Sequence, residues 1–218
     1  MDEIVRQALA KWPNVPHCTG WLVLDRRGQW RMRDEAAQAS GKFGTAIRHE
    51  ALLSFINRNY ECDGEGQWFF QNGPQQVYVE LAYTPWIVRL SSVDGVLRLT
   101  DQIGAMFEPA EAFIDDAGGV LFTDVAKPTR VAALHDHDID LVSDHATLND
   151  AAREGVFHWR DGVDLPLQYV TRNAVEARFG FVAQSRCAWC LSPSFPDRAL
   201  PCSAVSKSRR RAEIVEKS

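Results

Sequence analysis

The chain has 218 residues, 45% hydrophobic and 24% charged, enough for one large domain or two small ones with a real core. Acidic residues outnumber basic ones 29 to 24, a net charge of −5, so no global positive field draws nucleic acid or an anionic membrane. No apolar run reaches the roughly 18 residues of a spanning helix. The opening MDEIVRQALAKW, with two early acids, does not read as a signal peptide, and five cysteines is an odd count, so the expected setting is cytoplasmic with reduced thiols.

Residues 2–11 set Ile4, Val5, Ala8, Leu9 and Trp12 on one stripe of period 3.6, which predicts an N-terminal helix. WLVLD (21–25) and GQWRMR (28–33) then flank Asp25-Arg26-Arg27-Gly28. Asp at the first position of a type I turn accepts from backbone N–H groups ahead of it, and Gly at the fourth takes up positive φ, so apolar flanks around such a tetrad predict a hairpin. The segment 44–60 places Ile47, Ala51, Leu52, Phe55 and Ile56 on one face and predicts a long helix over 45–59 packed on a sheet, with Arg58 near its C-terminal dipole.

The same tetrad returns as Asp63–Gly66 before QWFFQ and as Asp115–Gly118 before GVLFTD. Asp-x-x-Gly also serves the γ-phosphate in GTPases, but no phosphate-cradling G-x-x-x-x-G-K-[ST] loop lies upstream, so the tetrads read as chain reversals. DGEGQWFFQNGPQQVYVEL lies on DDAGGVLFTDVAKPTRVAAL with a two-residue insertion, matching Phe70 to Phe122, Pro74 to Pro128 and Val77 to Val131. Asn72-Gly73 is a type I′ turn signal, and WIVRLSS (86–92) lines up with IDLVSDH (139–145). Two related meander units are expected, too few copies for a solenoid. Shorter helices are predicted at 109–114, 148–154 and 171–179, the last ending at Gly180.

The expected fold class is α+β: antiparallel hairpin and meander sheets with internal duplication and one long helix packed on a sheet. The expected divisions are 1–62 (N-terminal helix, first hairpin, long helix), 63–114 and 115–185 (the meander units, packed as one domain), and 186–218, a Cys- and Pro-containing basic tail expected to be partly disordered.

Three stretches carry candidate chemistry. In the segment 71–90, Gln71, Asn72, Gln76, Tyr78, Tyr83 and Arg89 would line a sheet face able to hydrogen-bond a small ligand or a protein partner. In the tail, Cys187-Ala188-Trp189-Cys190 with Cys202 offers three thiolates to a zinc ion. In HDHDIDLVSDH (135–145), a strand would put His135 and His137 on one face, with His145 or a carboxylate nearby, a set suited to Zn²⁺ or another borderline metal. The first two ligands resemble the H-x-H-x-D-H of metallo-β-lactamase-type hydrolases, but Ile139 and Asp140 stand where that motif has Asp and His. His17 and His49 are bases without a nucleophile, since no G-x-S-x-G elbow occurs, nor any G-x-G-x-x-G dinucleotide fingerprint.

GWLVLDRRGQWRMRDE, FINRNY and WFFQNGPQQVYVELAYTPWIVRL resemble an uncharacterised bacterial family of hypothetical proteins, a domain of unknown function, over roughly residues 10–190; that family brings no activity or cofactor. The order of elements is also similar to a second uncharacterised bacterial family of small duplicated α+β domains. The leading functional expectation is a non-enzymatic module binding a small ligand or protein partner on a sheet face, with self-association left open. The alternative is a zinc-binding protein at the cysteines, or a metal-dependent hydrolase at His135 and His137.

Overall fold

Four aspartates set corners of this chain in the same way. The structure, a computed structural model, describes residues 1–12, 14–149, 155–160 and 162–184. In it, Oδ1 of Asp25 accepts from Arg27 N and Gln29 N, both at 2.9 Å. Asp63 accepts from Glu65 N and Gln67 N, also at 2.9 Å. Asp115 accepts from Ala117 N and Gly119 N at 2.8 Å. Each tetrad closes with its Gly at positive φ and its Asp N–H bonded to the carbonyl four residues on, so each is a hairpin turn with a bulge. A fourth copy, Asp101–Gly104, has the same bonds to Ile103 N (3.0 Å) and Ala105 N (2.8 Å).

The strands fall into two sheets. In the first, β1 (Cys18–Leu24), β2 (Trp30–Met32), β3 (Thr45–Ala46), β4 (Tyr60–Cys62), β5 (Trp68–Asn72) and β6 (Gln75–Leu81) take the order β3-β2-β1-β6-β5-β4. The second holds β7 (Trp86–Val93), β8 (Val96–Asp101), β9 (Met106–Phe107), β10 (Pro109–Asp115), β11 (Val120–Asp124), β12 (Val131–Leu134), β13 (Ala146–Leu148), β14 (Gly155–Arg160) and β15 (Val163–Val170). Their order is β13-β14-β15-β10-β11-β12-β7-β8-β9. The run β2-β1-β6-β5-β4 recurs as β8-β7-β12-β11-β10, with the same senses: β1 is parallel to β6 as β7 is to β12, and the other pairs are antiparallel. The two meanders therefore share one strand order.

Several expectations need correction. The sheets are mixed, because β1–β6, β7–β12 and β10–β15 pair in parallel. Among the described residues no single long helix dominates: α3 covers only Glu50–Arg58, nine residues, the same as α1 (Glu3–Lys11). Thr45 and Ala46 instead pair with Met32 and Arg31, and Ile47 N bonds Trp30 O at 2.8 Å, so the N-terminal third of the expected helix is a strand edge. The helix starts where His49 Nδ1 accepts from Leu52 N, a capping bond. The segment 109–114 is not a helix but lies in β10, whose Ala112, Phe113 and Ile114 are buried between two neighbouring strands, so tertiary pairing overrides the helix preference of Ala and Glu. Of the helix expected over 148–154, Leu148 instead ends β13 (Ala146–Leu148), and 150–154 lie outside the described residues. Residues 139–144 form α4, so the counterpart of β7 is β1 rather than IDLVSDH. Phe70 faces Val77 across its ladder whereas Phe122 faces Ala132, so the insertion in the second unit is three residues by register, not two.

The remaining α-helices among the described residues are α2 (Glu35–Ala39) and α5 (Arg172–Phe179), the latter ending on Gly180 in the left-handed conformation, as its sequence implies. One hydrophobic cluster runs through both sheets, from Leu22, Leu24, Val79 and Leu81 through Trp86 and Val88 to Phe113, Phe122 and Phe157. Among the described residues no helix is long and apolar enough to cross a membrane.

Candidate metal centre

The chain leaves β12 into a short 3-10 turn, Asp136–Asp138, that leads into α4 (Ile139–Asp144). The amide of the turn's second residue needs an acceptor, and His135 provides it: its Nδ1 accepts from His137 N at 3.1 Å. The turn is anchored from two sides. His135 N bonds Val88 O at 2.9 Å, extending the β7–β12 pairing. Behind it, the buried carboxylate of Asp138 accepts from Arg89 Nε, Arg89 Nη2 and Leu90 N.

This geometry brings His135, Asp136 and His137 together, with one ligand-capable atom from each within 4.8 Å of the others. His135 is buried while the other two are exposed. The imidazoles of His135 and His137 stand 4.7 Å apart, centre to centre, at 64°. Asp136 Oδ1 lies 3.0 Å from His135 Nδ1. Its other oxygen, Oδ2, accepts from Arg27 Nε at 3.1 Å and Nη2 at 2.7 Å. Arg27 is the third residue of the first Asp-x-x-Gly turn, so a corner of one sheet orients a carboxylate beside the other.

Electrostatics favour a neutral His135. Burial pushes its pKa down, and the Arg89 guanidinium and His137 add to the effect against the carboxylates of Asp136 and Asp138. Asp136 is held below its usual range, chiefly by the hydrogen bond from Arg27. Burial alone would raise Asp138, but hydrogen bonds from Arg89 and Leu90 N outweigh it and keep the carboxyl ionised. A neutral imidazole beside an ionised carboxylate is the protonation state that metal ligation needs. In the tautomer that lets Nδ1 accept from His137 N, Nδ1 and Oδ1 are two acceptors facing each other at 3.0 Å. Zn–N and Zn–O bonds of about 2.0–2.2 Å would span such a gap at a near-right-angled bite. Nδ1 has one in-plane lone pair, however, so a metal there competes with the amide of His137.

The other candidates are placed as follows. His145 is the C-cap of α4, its Nδ1 against Leu141 O at 3.0 Å, and it is not part of the grouping. Cys187, Cys190 and Cys202 lie outside the described residues. Gln71 is fully buried and donates to Gly73 O at 2.9 Å; it pairs across the hairpin with Gln76, next to Asn72 at the exposed end of β5. Tyr78 donates to Asp63 at 3.2 Å, Tyr83 to the buried Asp115 at 2.8 Å, and Arg89 to Asp138. Each is thus engaged with a different carboxylate. His17 packs edge-on against Tyr78 and His49 caps α3. Sequence reasoning named both histidines of the cluster and allowed a nearby carboxylate, but did not single out Asp136, because a strand reading sends it to the opposite face.

A family model described as "Protein of unknown function (DUF2946)" matches residues 1–186. The chain belongs to that family. No curated protein matches it. Among solved structures, a DUF1285 family protein from Silicibacter pomeroyi is similar, with 15% identity over 78% of this chain and 97% of that one and a TM-score of 0.48. A DUF1285 family protein from Shewanella baltica is similar over 57% of this chain and 91% of that one, with 12% identity and a TM-score of 0.39. For this member of the family, what the structure adds is a candidate His–Asp–His cluster.

Proposed function

We propose that the chain is a metal-binding protein whose His135–Asp136–His137 turn takes up a labile divalent ion of the zinc class. The reading rests on the convergence of three ligand atoms within 4.8 Å on a turn fixed from behind by Asp138. Imidazole nitrogen with one carboxylate suits Zn²⁺ and its borderline neighbours better than Ca²⁺ or Mg²⁺, which take oxygen-rich shells. Arg27 on the outer oxygen of Asp136 plays the part of the hydrogen-bonded support that ligating carboxylates require. Three protein ligands leave the remaining positions to solvent, and the competition for Nδ1 makes the ion exchangeable.

The test is elemental analysis and calorimetric zinc titration of the full chain after chelation. The expected result is about one zinc per chain, lost in His137→Ala and kept in Cys187→Ser. Absence of heat on titration overturns the reading, as does zinc that survives His137→Ala and disappears with Cys187→Ser.

A further inference from the structure

A cleft of about 330 Å³ opens on the first sheet where β1 and β6 end, beside the loop that follows α2 and Gln184 beyond α5. Strand alternation fixes which side chains face it. Leu22, Leu24, Val79 and Leu81 belong to the core, so Val23 and Glu80, which pair across β1 and β6, present their side chains to the opposite face. Arg33 joins them. Its N–H bonds Trp21 O at 2.8 Å, one step beyond the Leu22–Met32 pair, which puts it on the face of Arg31 and Val23. Gly41 and Phe43, from the loop after α2, line the cleft as well.

Arg33 and Glu80 are the only charged residues of this lining. The Arg33 side chain is 10% exposed and that of Glu80 27%, and Arg33 Nη2 donates to Glu80 Oε2. A guanidinium so deeply buried needs both its charge and its donors matched, and one carboxylate oxygen does only part of that. Arg33 Nη1 and Glu80 Oε1 make no hydrogen bond among the described residues. Arg33 Nε is sealed from solvent, whereas Nη1 and Oε1 both keep accessible surface, so a ligand can reach them. The other polar groups of the lining are neutral: the carboxamide of Gln184 and backbone amides and carbonyls, which donate and accept alike. Val23 and Leu81 make an apolar floor, 1% and 6% exposed, and Phe43 stands at the rim, 53% exposed. A cation and an anion side by side, each with a spare atom, select a ligand that carries both signs close together.

We propose that this cleft binds a free α-amino acid with an apolar side chain: its carboxylate accepts from Arg33 Nη1, its ammonium donates to Glu80 Oε1, and its side chain lies on Val23 against Phe43. A plain organic acid would face the Glu80 carboxylate, and an amine would face the Arg33 guanidinium. A neutral amide would forgo the charge-assisted hydrogen bonds. The volume lies within the usual range for small-molecule sites, about 300–1,000 Å³. The site shares no residue with the His135 turn.

The test uses ¹⁵N-labelled full chain in chelator, so that an amino acid chelating metal at the His135 turn is not mistaken for binding in the cleft. The probe is L-leucine. Its counterparts are 4-methylpentanoate, which lacks the ammonium, 3-methylbutylamine, which lacks the carboxylate, and the neutral 4-methylpentanamide. Leucine is expected to move the amide resonances of Gly41, Phe43 and Ala82, and each counterpart to bind at least about tenfold more weakly. Glu80→Gln keeps an acceptor for Arg33 but loses the charge. It is expected to weaken leucine binding by about tenfold and to bind 4-methylpentanoate at least as tightly as leucine, a reversal that a merely structural glutamate would not produce. Unmoved resonances at those three residues in about 20 mM leucine, well beyond the millimolar Kd of a weak ligand, overturn the proposal. So does equal binding of leucine and any counterpart, or an unchanged order of preference in Glu80→Gln.

Discussion

Arg89 and Asp138 close on each other through two hydrogen bonds, Nε to Oδ2 at 2.6 Å and Nη2 to Oδ1 at 2.9 Å. The pair joins β7 to the turn that presents His135, and Leu90 N adds a third bond to the same carboxylate. The partners are not equivalent: the Arg89 side chain is 53% exposed and Asp138 8%. Asp138→Ala orphans a buried amide and should lower the unfolding free energy by about 2 kcal/mol, whereas Arg89→Ala should cost under about 1 kcal/mol because a half-exposed ion pair is screened. Urea titrations of both variants give the two numbers. Asp138→Ala should also weaken zinc binding by about tenfold through loss of the supporting shell. Equal destabilisation by the two variants would show that the ion pair, rather than the Leu90 amide, carries the energy.

The acid limb of stability should bear the mark of Asp115. Burial pushes this carboxyl upward, but hydrogen bonds from Arg172, Gly119 N, Tyr83 and Ala117 N outweigh burial and hold it below its ordinary value. The unfolded chain, with an aspartate near ~3.9, then binds the extra proton first as pH falls. Its contribution is thus complete well above pH ~4 and is lost as the pH descends through the folded-state value. Unfolding free energies of the native chain and Asp115→Asn should differ most near neutrality and converge as the pH falls below ~4. A gap that stays constant with pH would locate the acid sensitivity elsewhere.

The Asp-x-x-Gly corners allow a controlled comparison of two glycines. Gly66 and Gly118 both have positive φ, +81° and +77°. A Cβ at Gly118 meets nothing within 4 Å, whereas at Gly66 it would stand 2.6 Å from Gly180 O. That oxygen belongs to backbone held in place close by, where Val182 N donates to Gly66 O at 2.9 Å. Gly118→Ala should therefore cost only the left-handed conformation, about 1–2 kcal/mol. Gly66→Ala should exceed it by at least about 1 kcal/mol, since packed backbone must shift. Thermal unfolding of the two variants side by side decides it, and equal melting temperatures would mean that the Gly180 segment yields freely.

The corners were legible because an aspartate and a glycine three residues apart specify their own geometry locally. Asp101–Gly104 escaped notice since Ala105 follows it where the other copies have a bulkier residue or a second Gly. The duplication could be read from Phe70 and Phe122, but the parallel closures of β1 on β6 and β7 on β12 could not, because partners such as Leu22 and Val79 lie far apart in sequence. HDHDIDLV alternates like a strand, yet the capping bond from His137 N to His135 bends it into a turn, and that bend is what puts Asp136 between the two histidines. The ligand-rich composition was visible in the sequence; the ligand set needed the backbone.

Removing metal should leave the fold standing. A structural zinc site unfolds on chelation because its ligands have no other role. Here two of the three ligands have one: His135 caps His137 N and Asp136 holds Arg27, while the turn behind them is fixed by Asp138. When the ion leaves, the Nδ1 lone pair returns to the amide rather than being orphaned. Chelated protein should then keep its far- and near-ultraviolet circular dichroism, and added zinc should raise the melting temperature only by mass action, about 2.7 kcal/mol of stabilisation at a hundredfold excess over Kd. Both readouts come from one melting series with increasing zinc. Loss of near-ultraviolet signal in chelator would instead mean that the ion, and not the hydrogen bonds around Asp138, holds the turn in place.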